Sequence, residues 1–209
     1  MENPYRLDSR MAQITDKALC LIKLNILWMV CSLPLVTGGA ALCALHITAV
    51  KILNNEESYI FQDFWAVFKL KLTPSLKLWL PLLLAAFALL FDYRFWQGID
   101  GDFSGMIRVF TCVLFGIWTV LVFYVFPLAA RMDVPAKTTY RNGILLMFKY
   151  LPQSIYLLFL TAIFLTAGLL WTPVFYIMVL SGGSLLAAIH GKMLLWIFEK
   201  EGILTPKES

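Results

Sequence analysis

The sequence predicts an all-α fold, a polytopic membrane helical bundle, and three observations predict it. Apolar residues make up 60% of the 209 positions and charged residues only 14%. A soluble domain runs nearer 45–50% apolar and about 25% charged. The mean hydropathy is +0.78, and the apolar residues gather into long runs separated by short polar segments. One soluble core of this size cannot hide so much apolar side chain, which excludes a cytosolic or extracellular enzyme and a disordered chain. Sixteen Phe and seven Trp suit lipid contact and interfacial belts. The net charge of +4 is modest, with no long basic run and no nucleic-acid motif. The lipid bilayer is therefore the expected partner, and nucleic acid is not.

Six runs are candidate spans: residues 19–36, 39–53, 76–96, 106–130, 154–171 and 174–198. The second would cover only about 22 Å as a helix, so a re-entrant or tilted element is its alternative. Basic residues order the runs. Arg6, Arg10 and Lys17 precede the first; Lys69 and Lys71 lie between the second and third; Arg131, Lys137, Arg141 and Lys149 lie between the fourth and fifth; Lys200 and Lys207 close the chain. The other three connections carry no Lys or Arg, but they do carry Asp100 and Asp102. By the positive-inside rule this is a multi-pass chain with both termini cytoplasmic. Five spans are the alternative, with the nearly neutral tail outside. The whole chain reads as one membrane domain: 17–72 holds spans one and two with an interfacial helix, 73–131 holds spans three and four, and 132–209 holds a second interfacial helix, spans five and six and a short tail.

The two interfacial helices are read from amphipathic patterning. In 59–72, Gln62, Asp63, Ala66 and Lys69 form a polar stripe, with Phe61, Phe64, Trp65, Phe68 and Leu72 around it. Residues 137–151 begin polar and turn apolar at Ile144. Each leads into a proline, Pro74 or Pro152, and then a span. Trp65, Phe68, Lys69, Tyr140 and Arg141 are the candidate partner surface on these segments.

Within the apolar runs, Thr37–His46 matches Ser181–His190 without a gap, sharing two glycines, Leu, Ala and the only two histidines of the chain. Intramembrane histidine is a functional candidate, and paired glycines can break helices around a ligand or simply let helices pack closely. Gly38, Gly39, His46, Gly182, Gly183 and His190 are thus a candidate ligand or packing site. The surrounding polar inventory is thin: Asn25, Ser32, Thr37, Thr48, Ser181 and Ser184. Tyr124, Pro127 and Arg131 close the fourth run as a candidate hinge or interfacial anchor.

Other chemistry is missing its residues. The four cysteines lie in or beside apolar runs without a C-x-x-C pair, so they read as small hydrophobes. Asp100–Gly105 begins like a calcium loop, but its twelfth position would be Thr111. No zinc-protease helix, nucleophile elbow or Walker loop occurs. No metal, no cofactor and no catalytic residue is expected. The first apolar run starts too far from the N-terminus for a signal peptide, and Leu42 before Cys43 does not fit a lipobox.

Asn25-Ile26-Leu27-Trp28 and Leu33-Pro34-Leu35-Val36-Thr37-Gly38-Gly39-Ala40 resemble the opening of the YesL-like family of bacterial integral membrane proteins of unknown function. Glu56-Glu57-Ser58-Tyr59, Asp63-Phe64, Phe68-Lys69 and Phe126-Pro127-Leu128 with Arg131 extend the resemblance over roughly residues 5 to 200. It implies a bacterial cytoplasmic membrane protein in a carbohydrate-uptake or two-component setting, and it brings no catalytic residue. The expectation is a non-enzymatic accessory protein for carbohydrate uptake or its sensing, whose partner is a carbohydrate transporter or sensor kinase. The alternative is a small transporter or channel with its site at the two Gly-Gly-His segments.

Overall fold

The computed structural model describes residues 4–54 and 59–202. Glu56, Glu57, Ser58 and Lys207 lie outside the described residues. Every described element is helical: α1 (Pro4–Ser32), a 3-10 turn (Leu35–Thr37), α2 (Gly38–Leu53), α3 (Ile60–Gln97), α4 (Asp102–Arg131), α5 (Ala136–Lys149), α6 (Leu151–Leu170), α7 (Thr172–Ile177), a π-helical turn (Met178–Gly182) and α8 (Gly183–Lys200). Five segments are long and apolar enough to cross a bilayer: Leu35–Leu53, Ile60–Gln97, Asp102–Arg131, Leu151–Leu170 and Thr172–Lys200.

The hub is α2, packed on α1, α3, α4 and α8. Its buried face is built from Ala40, Ala41, Cys43, Ala44 and Ala49, small side chains that let four neighbours approach closely. The first expected span behaves differently from the rest. It corresponds to the end of α1, where Lys23 interrupts the apolar run shortly after Asp16 and Lys17, and the helix stops at Ser32 ahead of Pro34. Lys17 Nζ donates to the Leu53 carbonyl at 3.2 Å, capping the far end of α2. The two helices therefore form an antiparallel hairpin.

Its tip ends short. Trp79 Nε1 donates to the Leu35 carbonyl at 2.5 Å, which sets the turn level with Trp79, while α3 runs on to Gln97, about 27 Å further at 1.5 Å per residue. Leu33, Leu35 and Val36 at the tip are exposed and apolar.

The interfacial helix expected over 59–72 is not a separate element. It is the first part of α3, which continues through Pro74 and Pro81 for about 57 Å. The reason is an unbroken buried stripe at helical spacing: Phe64, Phe68, Lys71, Ser75, Leu78, Leu82 and Ala86. Both prolines fall on the exposed side, so each removes one hydrogen bond without interrupting packing. Tyr140 of α5 donates its hydroxyl to the Leu78 carbonyl next to the Pro81 site. The second interfacial segment is a separate helix, α5, but its buried residues Thr139, Gly143, Leu146 and Met147 face protein. A methyl on Gly143 would stand 3.0 Å from Val125 Cγ2 of α4.

The basic segments gather at one end of the bundle. Lys51 pairs with Asp63 at 3.2 Å, Lys71 with Asp133 at 2.6 Å and Lys149 with Glu201 at 2.6 Å. Val50, Leu128, Tyr150 and Phe198 share one buried cluster between them. Lys71 is 5% exposed, and its ammonium beside Asp133 holds that carboxyl below its ordinary range.

Candidate functional site

The sixth expected span carries a discontinuity. Between α7 and α8 the chain makes a π-helical turn, which opens the normal backbone ladder. Asn25 of α1 fills the opening. Its Nδ2 donates to the Val179 carbonyl at 2.8 Å, and its Oδ1 accepts from the Ser184 amide at 3.0 Å. Ser184 Oγ donates to the carbonyls of Leu21 at 2.7 Å and Ser181 at 3.0 Å. Asn25 and Ser184 are essentially inaccessible. In lipid, freed backbone groups must find protein partners, and this amide supplies both. Sequence reasoning counted Asn25 only as background. The signal was an amide in an otherwise apolar run, but its partners lie about 155 positions away.

The hairpin tip is satisfied by the same logic. Thr37 Oγ1 reaches the carbonyls of Cys31 at 2.7 Å and Pro34 at 2.8 Å, and Trp79 takes Leu35. Both Gly-Gly segments thus sit where a non-α turn gives way to a helix, α2 in one case and α8 in the other.

The glycines themselves are packed against side chains. A methyl on Gly39 would stand 2.7 Å from Trp79 Cβ and 2.9 Å from Phe126 Cε1, and one on Gly38 would stand 3.2 Å from the Trp79 ring. At Gly182 the obstacle is Phe164 Cε1 at 2.9 Å; at Gly183 it is Trp28 at 2.7 Å and Asn25 Oδ1 at 2.8 Å.

The two histidines come together where α2 packs on α8. His46 is 5% exposed and His190 0%. His46 lies beside the Ala187 backbone of α8 and close to His190. Gly191 makes the approach feasible: a methyl there would meet Val50 Cγ2 at 2.6 Å, with His46 Nδ1 at 3.9 Å. His190 meets the Phe123 ring edge-on at 4.4 Å. His46 Nδ1, both His190 nitrogens and Thr48 Oγ1 are buried without a hydrogen-bond partner. A cavity of about 840 Å³ elsewhere in the bundle is lined by neither histidine.

The remaining candidates separate. Tyr124 is fully buried and accepts from Ser154 Oγ at 3.0 Å, so it is a core residue rather than an interfacial anchor. Pro127 lies within α4, which continues to Arg131. On the candidate partner surface, Phe68 is buried against α2 with Phe64, which removes it from that surface. Trp65 is 37% exposed with Lys69 Nζ over its ring at 5.4 Å. Arg141 is exposed and Tyr140 half-buried. Among the described residues no cluster of His, Cys, Asp and Glu could hold a metal ion.

No curated protein matches the chain, and no solved structure does. A family profile described as "Protein of unknown function, DUF624" matches residues 21–93, so the end of α1, all of α2 and most of α3 are similar to that family.

Proposed function

We propose that this chain is a non-enzymatic accessory protein of the bacterial cytoplasmic membrane, acting by association with another membrane protein in carbohydrate uptake or its sensing. The observation that carries the accessory role is the filling of the Gly-Gly-His segments. Trp79, Phe126, Phe164 and Trp28 occupy the space a ligand would need, while α6 and α7 present exposed Phe159, Leu169, Leu170, Trp171 and Tyr176. The carbohydrate setting, the YesL-like grouping and the choice of a transporter or sensor kinase as partner come from the resemblance of Asn25–Trp28 and Leu33–Ala40.

Both termini are cytoplasmic in this reading. The six-span order keeps its sidedness, but the α1–α2 pair is a re-entrant hairpin entering from the basic end. The short tip beside Trp79 and its internally satisfied carbonyls support that reading. The partner surface becomes Trp65, Lys69 and Arg141, with exposed Phe61 in place of Phe68. A photoreactive amino acid at Trp65, activated in native membranes, should form an adduct with a sugar-transporter subunit or a sensor kinase. Adducts with lipid alone would contradict the reading.

A second reading, a small-molecule transporter or channel, is favoured by one observation: four unpartnered buried polar atoms at His46, His190 and Thr48. Such atoms are costly unless water or a ligand visits them.

A further inference from the structure

Between α4 and α6 lies a cavity of about 840 Å³, within the range of small-molecule sites. Its α4 wall is a row at helical spacing, Gly105, Val109, Cys112 and Gly116, and α6 contributes Ile155 and Leu158. The groove is wedge-shaped. At Gly116 the helices touch, since a methyl there would stand 3.4 Å from Leu158 Cδ2. At Gly105 the only nearby atom is Arg108 Nη2 at 3.9 Å.

Arg108 is the one cationic side chain lining the groove, and no carboxylate lines it. Its Nε donates to the Ser104 carbonyl at 3.4 Å, so the guanidinium is directed toward the start of α4, away from the apolar depth. Among the described residues it forms no salt bridge. One turn along α4, Thr111 Oγ1 donates to Asp92 at 2.5 Å. A guanidinium at the mouth of an apolar slot in a membrane helix needs an anion, and its planar fork matches a phosphate bidentately. From Arg108 to Val120 the α4 wall runs about 18 Å, close to the hydrocarbon depth of one leaflet, about 15 Å.

We propose that this groove is a binding site for an anionic phospholipid, with its phosphate on Arg108 and one acyl chain laid between α4 and α6. The site requires α4 and α6 to be in the bilayer, but it is independent of the accessory role. Commitment to a lipid rather than a partner helix follows from the charge pattern: a single cation at the mouth and apolar walls below.

The test uses the purified, delipidated full chain in detergent. Native mass spectrometry follows titration with phosphatidylglycerol or phosphatidylcholine of identical acyl chains. The wild-type chain should bind one phosphatidylglycerol about tenfold more tightly than phosphatidylcholine, because both carry a phosphate but the choline cation of the second repels the Arg108 guanidinium. Arg108→Gln should bring the two lipids within twofold of each other. Val109→Trp, which fills the groove, should weaken both. Arg108→Lys keeps the charge and should retain a several-fold preference, and it serves as the informative variant if the Gln protein does not fold. Equal binding of both lipids by the wild type would overturn the proposal, as would a preference that survives Arg108→Gln. Efficient Cys112-to-Cys112 cross-linking between copies in phosphatidylglycerol membranes would overturn it in favour of a second copy as occupant.

Discussion

Replacing Asn25 by Leu keeps the branching and the number of side-chain heavy atoms and deletes both arms of the bridge across the π-helical turn. The two bridging hydrogen bonds disappear, to the Val179 carbonyl at 2.8 Å and from the Ser184 amide at 3.0 Å, together with the weaker one from Nδ2 to Met29 Sδ at 3.6 Å. Interhelical bonds in membrane proteins average about 0.6 kcal/mol and reach about 1.7. If the turn could re-close as a regular helix, the loss would be only about 1.2 kcal/mol, the sum of two average bonds. Re-closure has to move Gly182 and Gly183, whose Cβ directions point at Phe164 and Trp28 within 3 Å. That resistance leaves a buried donor and acceptor partly unpaired, which costs more. We therefore expect Asn25→Leu to destabilise the chain by about 1–3 kcal/mol. Reversible unfolding in mixed detergent micelles reads the energy, and hydrogen exchange at the Ser184 amide reads the location. A loss below about 0.5 kcal/mol with unchanged Ser184 protection would refute the reasoning.

Gly39→Ala should cost about 1–3 kcal/mol by overpacking against Trp79 and Phe126, whereas Gly98→Ala, with only Phe95 O at 3.8 Å, should be near neutral in the same unfolding assay. Tyr140→Phe strips the donor from the Leu78 carbonyl and should cost about 0.5–1.5 kcal/mol. The Lys71 ammonium holds the folded Asp133 carboxyl below its ordinary range; its contribution is therefore fully present above the ordinary carboxylate range and is lost as pH falls through the lower folded pKa. Thermal unfolding should accordingly show Asp133→Asn destabilising at pH 7 and losing its effect in strong acid. Lys71→Met should be milder than Asp133→Asn, because it leaves no buried cation behind. Single cysteines at Gly101 and Thr138, in a background without native cysteines, should label from opposite sides. One at Val36 should resist impermeant reagent from both, and labelling it from the side of Gly101 would restore two full spans in place of the hairpin.

Sequence patterning made the helices legible because lipid exposure demands apolar runs, and five of the six runs correspond to helices long and apolar enough to cross a bilayer. Residues 19–36 misled because apolarity alone does not set length: Pro34 ended the helix, and Trp79 fixed the depth of its turn. The segment 59–72 misled for a different reason. Pro74 looked like a boundary, yet it and Pro81 both sit on the exposed side of a stripe running from Phe64 to Ala86. That stripe also explains Phe68, which the amphipathic pattern assigned to a partner and the structure gives to α2. The Gly-Gly-His echo did identify two segments that meet, but its glycines are places for Trp and Phe rings, a fact carried by residues distant in sequence. Asn25 and the Lys71–Asp133 pair were invisible for the same reason, since each depends on long-range partners.

The central claim is that a packed bundle works through association rather than by moving a solute. Flux measurement on the purified full chain in liposomes tests it most directly, with radiolabelled sugars and with or without a proton gradient. The account predicts no uptake above protein-free liposomes in either condition, and a chain that still folds when His46 and His190 are both replaced by Gln. Robust sugar flux that the two histidine replacements abolish would contradict it and would assign the unpartnered imidazoles to a transport site.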